Sequence, residues 1–225
     1  MRKLILSLAV FGVVVGNLVY WDDPWLFRNF IRFFSTGDPT GIEMLPPDEA
    51  VAGDASYIFP LAPEDERTIS PAAFAAMHAY AEEFGSHALI TIHKGQIQDE
   101  WYADYWQADN LTQSQSMHKS LMGLFIGVAI EDGLIASVDD PIGMYLREWS
   151  TDPRGEITLR NLLYMSSGLD QYDFTINPFS DGVKWLNSGR SGDVILRTPL
   201  REDVGQGEIW DYNNLNSELL GMVLE

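Results

Sequence analysis

Hydrophobic positions open the chain as one block. From Leu4 to Trp21 the residues are apolar apart from Ser7, two glycines and Asn17. At about 1.5 Å rise per residue such a run just crosses the hydrocarbon core of a bilayer. Arg2 and Lys3 precede it, and no A-x-A cleavage pattern follows. The pattern predicts a membrane anchor or signal segment over 1–21, with the basic pair inside and the rest of the chain outside. Apolar residues then cluster at Trp25–Phe27 and Phe30–Phe34. They predict a short helix, either lying at a lipid interface with Arg28 and Arg32 near head groups or packing its aromatics on the protein.

The period then disappears. Asp38 to Glu66 holds five prolines and eight acids, the composition of an extended acidic linker, so 22–69 reads as a juxtamembrane segment and linker. At Ser70-Pro71 a helix begins, with Phe74, Met77, Ala81 and Phe84 on one face and Gly85 as its stop. Ala88 to Ile92 and Gln96 to Tyr102 read as two strands of a hairpin turning at His93-Lys94-Gly95. Ser116 to Asp132 is an apolar helix closed by Gly133. Asp140-Pro141 opens a shorter one, and Thr158 caps another that ends at Gly168, with Ser166 and Ser167 in its last turn. Asp170 to Gly207 reads as mostly loop, and a last helix starts near Asn214.

Composition narrows the function classes. The chain has 225 residues, 46% hydrophobic and 12% aromatic, enough for a sizeable core. Fourteen basic residues against thirty-three acidic ones leave a net charge of −19. Arg2, Lys3, Arg28 and Arg32 outnumber Asp22 and Asp23 in the first 35 residues, so the negative charge lies in the remainder. Such a surface repels phosphate backbones and excludes nucleic acid as a partner. Cysteine is absent, which excludes disulfides, thiolate metal sites and a Cys nucleophile. The four histidines show no metal-binding spacing, so neither metal nor cofactor is expected.

Two short patterns carry chemistry. Ser116-Met117-His118-Lys119 is the single Ser-x-x-Lys of the chain, and it stands where polar Thr112–Gln115 gives way to the apolar helix. Ser116 then faces the positive end of the helix dipole, and Lys119 lies one turn on along the same face. A lysine there should lose its proton more readily and can accept the serine proton. His118 lies about 200° round the helix and points elsewhere. Alone, the pattern is better explained by a capping serine and a snorkelling lysine. The second pattern is Tyr212-Asn213-Asn214. A phenol beside an ammonium can relay a proton to a leaving group, and the Asn214 amide can hold a substrate carbonyl and the lysine. Its plainer explanation is a loop tyrosine and a capping asparagine. Asp139-Asp140-Pro141 reads as a structural turn. Trp185, Trp210 and Tyr172 either wall an acyl pocket or pack in the core. No G-x-S-x-G elbow is present.

Taken in order, the residues resemble a known family. Ser116-x-x-Lys119, Gly133-Leu-Ile with Asp139-Asp140-Pro141, Ile157 through Leu169, and Gly207 through Tyr212-x-Asn214 to Leu219-Leu-Gly are similar to class C beta-lactamases and penicillin-binding-protein-like serine hydrolases, including family VIII esterases and 6-aminohexanoate-dimer hydrolases. The resemblance covers 70–225. It implies an α+β, beta-lactamase/transpeptidase-like fold, an antiparallel sheet flanked by a helical region. It also implies a serine hydrolase that cleaves an ester or amide (a beta-lactam or D-amino-acid peptide among them) through an acyl-enzyme on Ser116. Lys119 and Tyr212 would serve catalysis and Asn214 the substrate. The expected substrate is a small ester, amide or peptide, the protein a monomer, and its location the inner membrane facing the periplasm or the periplasm itself. Family members carry a third motif on a later strand that supplies an oxyanion donor. No such motif follows Tyr212 here, so 70–225 reads as a partial domain whose later sheet strands are missing. The alternative is an inactive truncated or degenerate homologue acting at most as a binding module.

Overall fold

A computed structural model describes residues 23–35, 52, 58–112, 114–172, 175, 177 and 180–225. The expected anchor over 1–21 and most of the acidic linker lie outside the described residues. Among those described, no helix is long and apolar enough to cross a membrane. In chain order the elements are α1 (Pro24–Ser35), α2 (Pro71–Glu83), β1 (Ala88–His93), β2 (Gln96–Tyr102), α3 (Lys119–Glu131), α4 (Leu159–Leu163), α5 (Asp181–Asn187), α6 (Ser191–Ile195) and α7 (Asn214–Leu224), with short 3-10 turns between several of them. They fall into two compact units, one from 46 to 112 and one made of 1–45 with 113–225. The boundary between them cuts through the 70–225 span rather than preceding it.

The smaller unit is built by local rules. Ser70 Oγ accepts the Ala73 N–H at 3.2 Å, and Pro71 occupies the first position of α2. Phe74 and Ala81 are buried, whereas Phe84 is 65% exposed and leans on Tyr80, the ring centroids 4.5 Å apart and the planes inclined 37°. Helical spacing placed Phe84 on the buried face, but Phe84 is the C-cap with φ −93° and ψ 10°, so it has left the helical geometry. β1 and β2 pair antiparallel, with a register shift between Thr91 and Ile92 that leaves Gln98 as the extra residue. Gln98 is buried, and its Oε1 accepts the Thr68 N–H at 2.9 Å. His78 of α2 meets Asp99 of β2 at 2.5 Å, which ties helix to hairpin. The end of the segment expected to be linker is also part of this unit. Ile97 N–H donates to Pro60 O and Ala62 N–H to Ile97 O, both at 2.8 Å, because an extended stretch beside the free edge of β2 can satisfy both sets of backbone groups.

The larger unit holds the main hydrophobic core. Trp149, Ile142, Ile157, Leu159, Leu162 and Leu219 are almost fully buried, and α3 and α4 both pack against α7. Thr158 Oγ1 accepts the Asn161 N–H at 3.2 Å and starts α4 as its sequence indicates. The helix stops at Leu163, five residues before Gly168. Met165, at φ 54°, turns the chain out, so Ser166 and Ser167 are not helical. Gly168 has φ 73°, and a Cβ there would stand 3.1 Å from the Val204 carbonyl oxygen, so this corner requires glycine. Asp140-Pro141 leads into a 3-10 turn, Ile142–Met144, in place of an α-helix. Asp140 Oδ2 accepts the N–H groups of Ala136 and Ser137 and the Tyr145 hydroxyl, so it is spent on structure.

One feature of this unit departs from the pattern of the chain. The stretch expected as loop contains α5, capped by Ser180, and α6. Helix α1 forms as expected, and among its described side chains the docking is to protein: Leu26 is buried, and Asn29 Nδ2 donates to Asn187 O at 3.1 Å. Asp23 anchors its start. The carboxylate accepts the Ser188 hydroxyl, the Leu26 N–H at 2.9 Å and the Gly189 N–H at 3.4 Å. A Cβ at Gly189 would lie 2.8 Å from Trp25 Cδ1, so the close approach of Trp25 depends on that glycine.

Candidate active site

The residues singled out by chemistry are distributed over two stretches of the larger unit. Ser116 lies in a 3-10 turn, Gln115–His118, that runs directly into α3. Gln115 just before it has φ 45°, a conformation that costs a non-glycine residue on the order of 1–3 kcal/mol and here sets the direction in which Ser116 leaves the backbone. One turn on, Lys119 donates from Nζ to Ser116 Oγ at 3.1 Å. His118 faces away from Ser116, with Nδ1 bonded to the Gln115 carbonyl, as its angular position on the helix requires.

Tyr212 arrives from the opposite end of the sequence. Its hydroxyl donates to Ser116 Oγ at 2.7 Å across 96 residues of chain. The segment carrying it is strapped to the Met165–Asp170 turn at several points. Gly207 N–H donates to Ser166 O at 2.7 Å and Asp211 N–H to Met165 O at 2.8 Å. The Asp211 carboxylate takes Gln171 Nε2 at 2.8 Å and Arg201 at 3.1 Å. Asn213 caps α7: its Oδ1 accepts the Leu215 N–H, while its Nδ2 reaches Leu169 O and Asp170 O. Behind it, Ser167 donates to Asn216 Oδ1 at 2.7 Å in the buried interior. The strained Met165 turn is therefore the fixture that holds Tyr212 in place, and single-residue patterns in the sequence do not show it.

Electrostatics at the site follow from this geometry. The hydrogen bond with Ser116 lowers the Tyr212 pKa from its usual 10.0; partial burial opposes that, and the Lys119 ammonium adds to it through a hydrogen bond and its charge. Lys119 Nζ also stands 5.5 Å from the centroid of the Tyr212 ring. Ser116 and Tyr212 are exposed and Lys119 is half-buried, so the serine hydroxyl is open to a reactant. A phenol of lowered pKa, an amine and an unacylated hydroxyl within hydrogen-bond distance can pass one proton among three heteroatoms. That is the requirement for nucleophilic attack by a serine.

Asn214 is not brought into this cluster. It is the first residue of α7, half-buried, and its side chain makes no hydrogen bond to Ser116 or Lys119; the capping role belongs to its neighbour Asn213. The three aromatic candidates separate. Tyr172 is committed to structure, bonding Val194 O and Thr198 Oγ1 at 2.8 Å each, and Trp185 packs on the core. Trp210 is 71% exposed, with its ring 6.4 Å from that of Tyr212. A cavity of about 430 Å³ lined by Pro153, Ile157, Arg201 and Glu208 among others contains none of Ser116, Lys119 and Tyr212. Among the described residues no group of three or more His, Asp or Glu side chains is arranged to hold a metal ion.

Comparison with known proteins adds an independent line. The family model described as Beta-lactamase matches residues 74–225. A 6-aminohexanoate-dimer hydrolase of Paenarthrobacter ureafaciens is 24% identical over 153 residues, which are 64% of this chain and 38% of that protein. The solved structure "Putative 6-aminohexanoate-dimer hydrolase from Bacillus anthracis" is similar at a TM-score of 0.54 and 18% identity, covering 74% of this chain and 47% of that one. The chain thus spans less than half the length of either relative. The structural likeness supports the α+β, beta-lactamase/transpeptidase-like fold, represented here by a helical unit and a small antiparallel sheet.

Proposed function

Because the chain belongs to the beta-lactamase family, we propose that it is a serine hydrolase that opens an ester or amide carbonyl through an acyl-enzyme on Ser116. The carrying observation is the convergence on one exposed hydroxyl: Lys119 Nζ at 3.1 Å and Tyr212 OH at 2.7 Å from Ser116 Oγ. As Oγ adds to the carbonyl carbon, its proton passes to Lys119. When the adduct collapses, the bond from carbon to the leaving oxygen or nitrogen breaks and Tyr212 protonates that atom. Lys119 then returns a proton to Tyr212, so the first half releases the alcohol or amine with no net change in the site. Water adds to the acyl-serine in the second half, releasing the acid and restoring the Ser116 hydroxyl. Asn214, whose amide bonds no other described residue at the head of α7, is assigned to the substrate rather than to Lys119. The relatives named as hydrolases of 6-aminohexanoate dimers support an amide among the substrates. Arg2 and Lys3 ahead of the apolar run support a location outside the cytoplasm.

The test is the rate at which a fluorophosphonate labels Ser116. Ser116→Ala should abolish labelling. Lys119→Arg keeps the charge but cannot give up its proton, so labelling should slow by about 10²-fold or more. The lowered Tyr212 pKa favours one variant of the proton path, in which the phenolate takes the serine proton and Lys119 stays an ammonium. Near-normal labelling of Lys119→Arg would overturn the lysine as base and move that role to Tyr212.

A further inference from the structure

Trp210 is the most exposed of the described tryptophans, at 71%, while Trp149 is buried and the others are covered to a greater extent. The indole stands two residues before a tyrosine whose hydroxyl touches Ser116, and it offers a large, flat apolar face to whatever occupies the space beside that tyrosine. Its backbone is not a loose tip. The next residue, Asp211, donates its N–H to Met165 O at 2.8 Å and pairs its carboxylate with Arg201 at 3.1 Å. The ring is therefore presented from an anchored segment, 6.4 Å from the Tyr212 ring and inclined 46° to it, while the Tyr212 hydroxyl lies 2.7 Å from Ser116 Oγ.

We propose that Trp210 is a specificity-determining residue that covers the leaving group, and that the preferred substrates are esters or amides whose leaving alcohol or amine carries an aryl or bulky alkyl group. This rests on the hydrolase reading above. A leaving atom protonated by Tyr212 must come to about 3 Å from the phenolic oxygen. The substituent on that atom then extends along the tyrosine ring, and Trp210 is the exposed apolar surface beside that ring. Covering some 50–60 Å² of apolar surface corresponds to about tenfold in kcat/KM. The acyl portion lies across the carbonyl from the leaving group and does not depend on this contact.

The test compares Trp210→Ala with the unmodified chain on two ester series. Within the acetates, the kcat/KM ratio of 2-naphthyl acetate to methyl acetate should fall about tenfold in Trp210→Ala, and Trp210→Phe should recover part of it. Within p-nitrophenyl esters of acetate, butyrate and hexanoate, the ratios should not change. Equal losses on both acetates, or losses graded only by acyl length, would overturn the proposal. A second measurement does not need turnover: saturation-transfer NMR of 2-naphthyl acetate with the Ser116→Ala chain, with and without Trp210→Ala. Binding that weakens with the second substitution supports the site; binding that does not change overturns it. A chain without Ser116-dependent turnover that still loses naphthyl binding on Trp210→Ala would sink the hydrolase reading and leave the Trp210 site standing.

Discussion

At the scale of single residues, the chemistry of the site is concentrated in one phenol. Tyr212 bonds the serine and stands beside the lysine ammonium, and both contacts favour its anion against the cost of partial burial. A group whose pKa is lowered in the folded chain ionises earlier as pH rises. Tyr212→Phe should therefore remove the part of the tyrosinate absorbance that develops on the acid side of the ordinary 10.0. Lys119→Ala should move that part back toward 10.0, since the ammonium is one of its causes. If neither variant changes the absorbance that develops on the acid side of 10.0, the Ser116–Lys119–Tyr212 contacts do not persist in solution. His118 illustrates the converse. It stands two residues from the serine, yet its ring is turned to the Gln115 carbonyl, so closeness in sequence gives it no access to the Ser116 hydroxyl.

At the scale of elements, ends matter more than middles. Ser70, Thr158, Ser180 and Asn213 each cap the helix that follows with a side-chain oxygen, and three of these residues lie where the pattern of the sequence places a helix start or its approach. The docking of α1 rests on the same kind of bond made over a long range. Burial raises the pKa of Asp23, but the Ser188 hydroxyl and the N–H groups of Leu26 and Gly189 outweigh it, and the carboxyl is held below 3.8. A folded-state pKa below the ordinary value means that this contribution is complete above 3.8 and is lost as pH falls through the lower folded value. Asp23→Ala should raise amide exchange over 24–35 by about tenfold near neutral pH, the worth of a charged hydrogen bond, without a comparable change in α4. Exchange mass spectrometry reads this directly. Unchanged protection of 24–35 would mean that apolar packing alone holds the helix.

At the scale of the whole molecule, charge is the feature that local inspection understates. A net −19 on 225 residues makes the folded chain repel itself. Its described ion pairs at Arg160–Asp139 and Arg201–Asp203 are largely exposed and contribute little individually. Raising salt from low to physiological ionic strength screens the long-range repulsion more than it weakens those pairs. The thermal midpoint should rise, by about 2–4 °C for each 1 kcal/mol of repulsion relieved. A midpoint that falls with salt in calorimetry would mean that the pairs dominate. The smaller unit carries its own exposed apolar residues, Ile90 and Ile92 on β1, and the larger one exposes Leu121, Leu124, Phe125 and Val128 along α3. The sequence of α3 is apolar on most of its circumference. Burial is confined to Ile126 and Ala129 among its residues, because α7 covers one side of it.

What the sequence determined by itself was whatever a few neighbouring residues settle between them. Ser70-Pro71 and Thr158 mark helix starts because a side-chain oxygen and a free N–H two or three residues on suffice to form the cap. The hairpin over 88–102 follows from alternation and a glycine turn, and Ser116 and Lys119 share a face because one helical turn separates them. The tertiary structure alone decided the rest. Gln115 and Met165 hold positive φ against the preference of their side chains, which only a surrounding fold can impose. The parallel pairing of 60–62 with Ile97, the short helices α5 and α6 in a stretch without periodicity, and the separation of exposed Trp210 from core-packed Trp185 and Tyr172 all depend on partners far along the chain. So does the meeting of Tyr212 with Ser116 across 96 residues. Closing a loop of that length costs conformational entropy that no local hydrogen bond repays; it is offset only by the packing of α3 and α4 on α7 and by the straps from Met165 to Asp170, which exist once the whole unit has assembled.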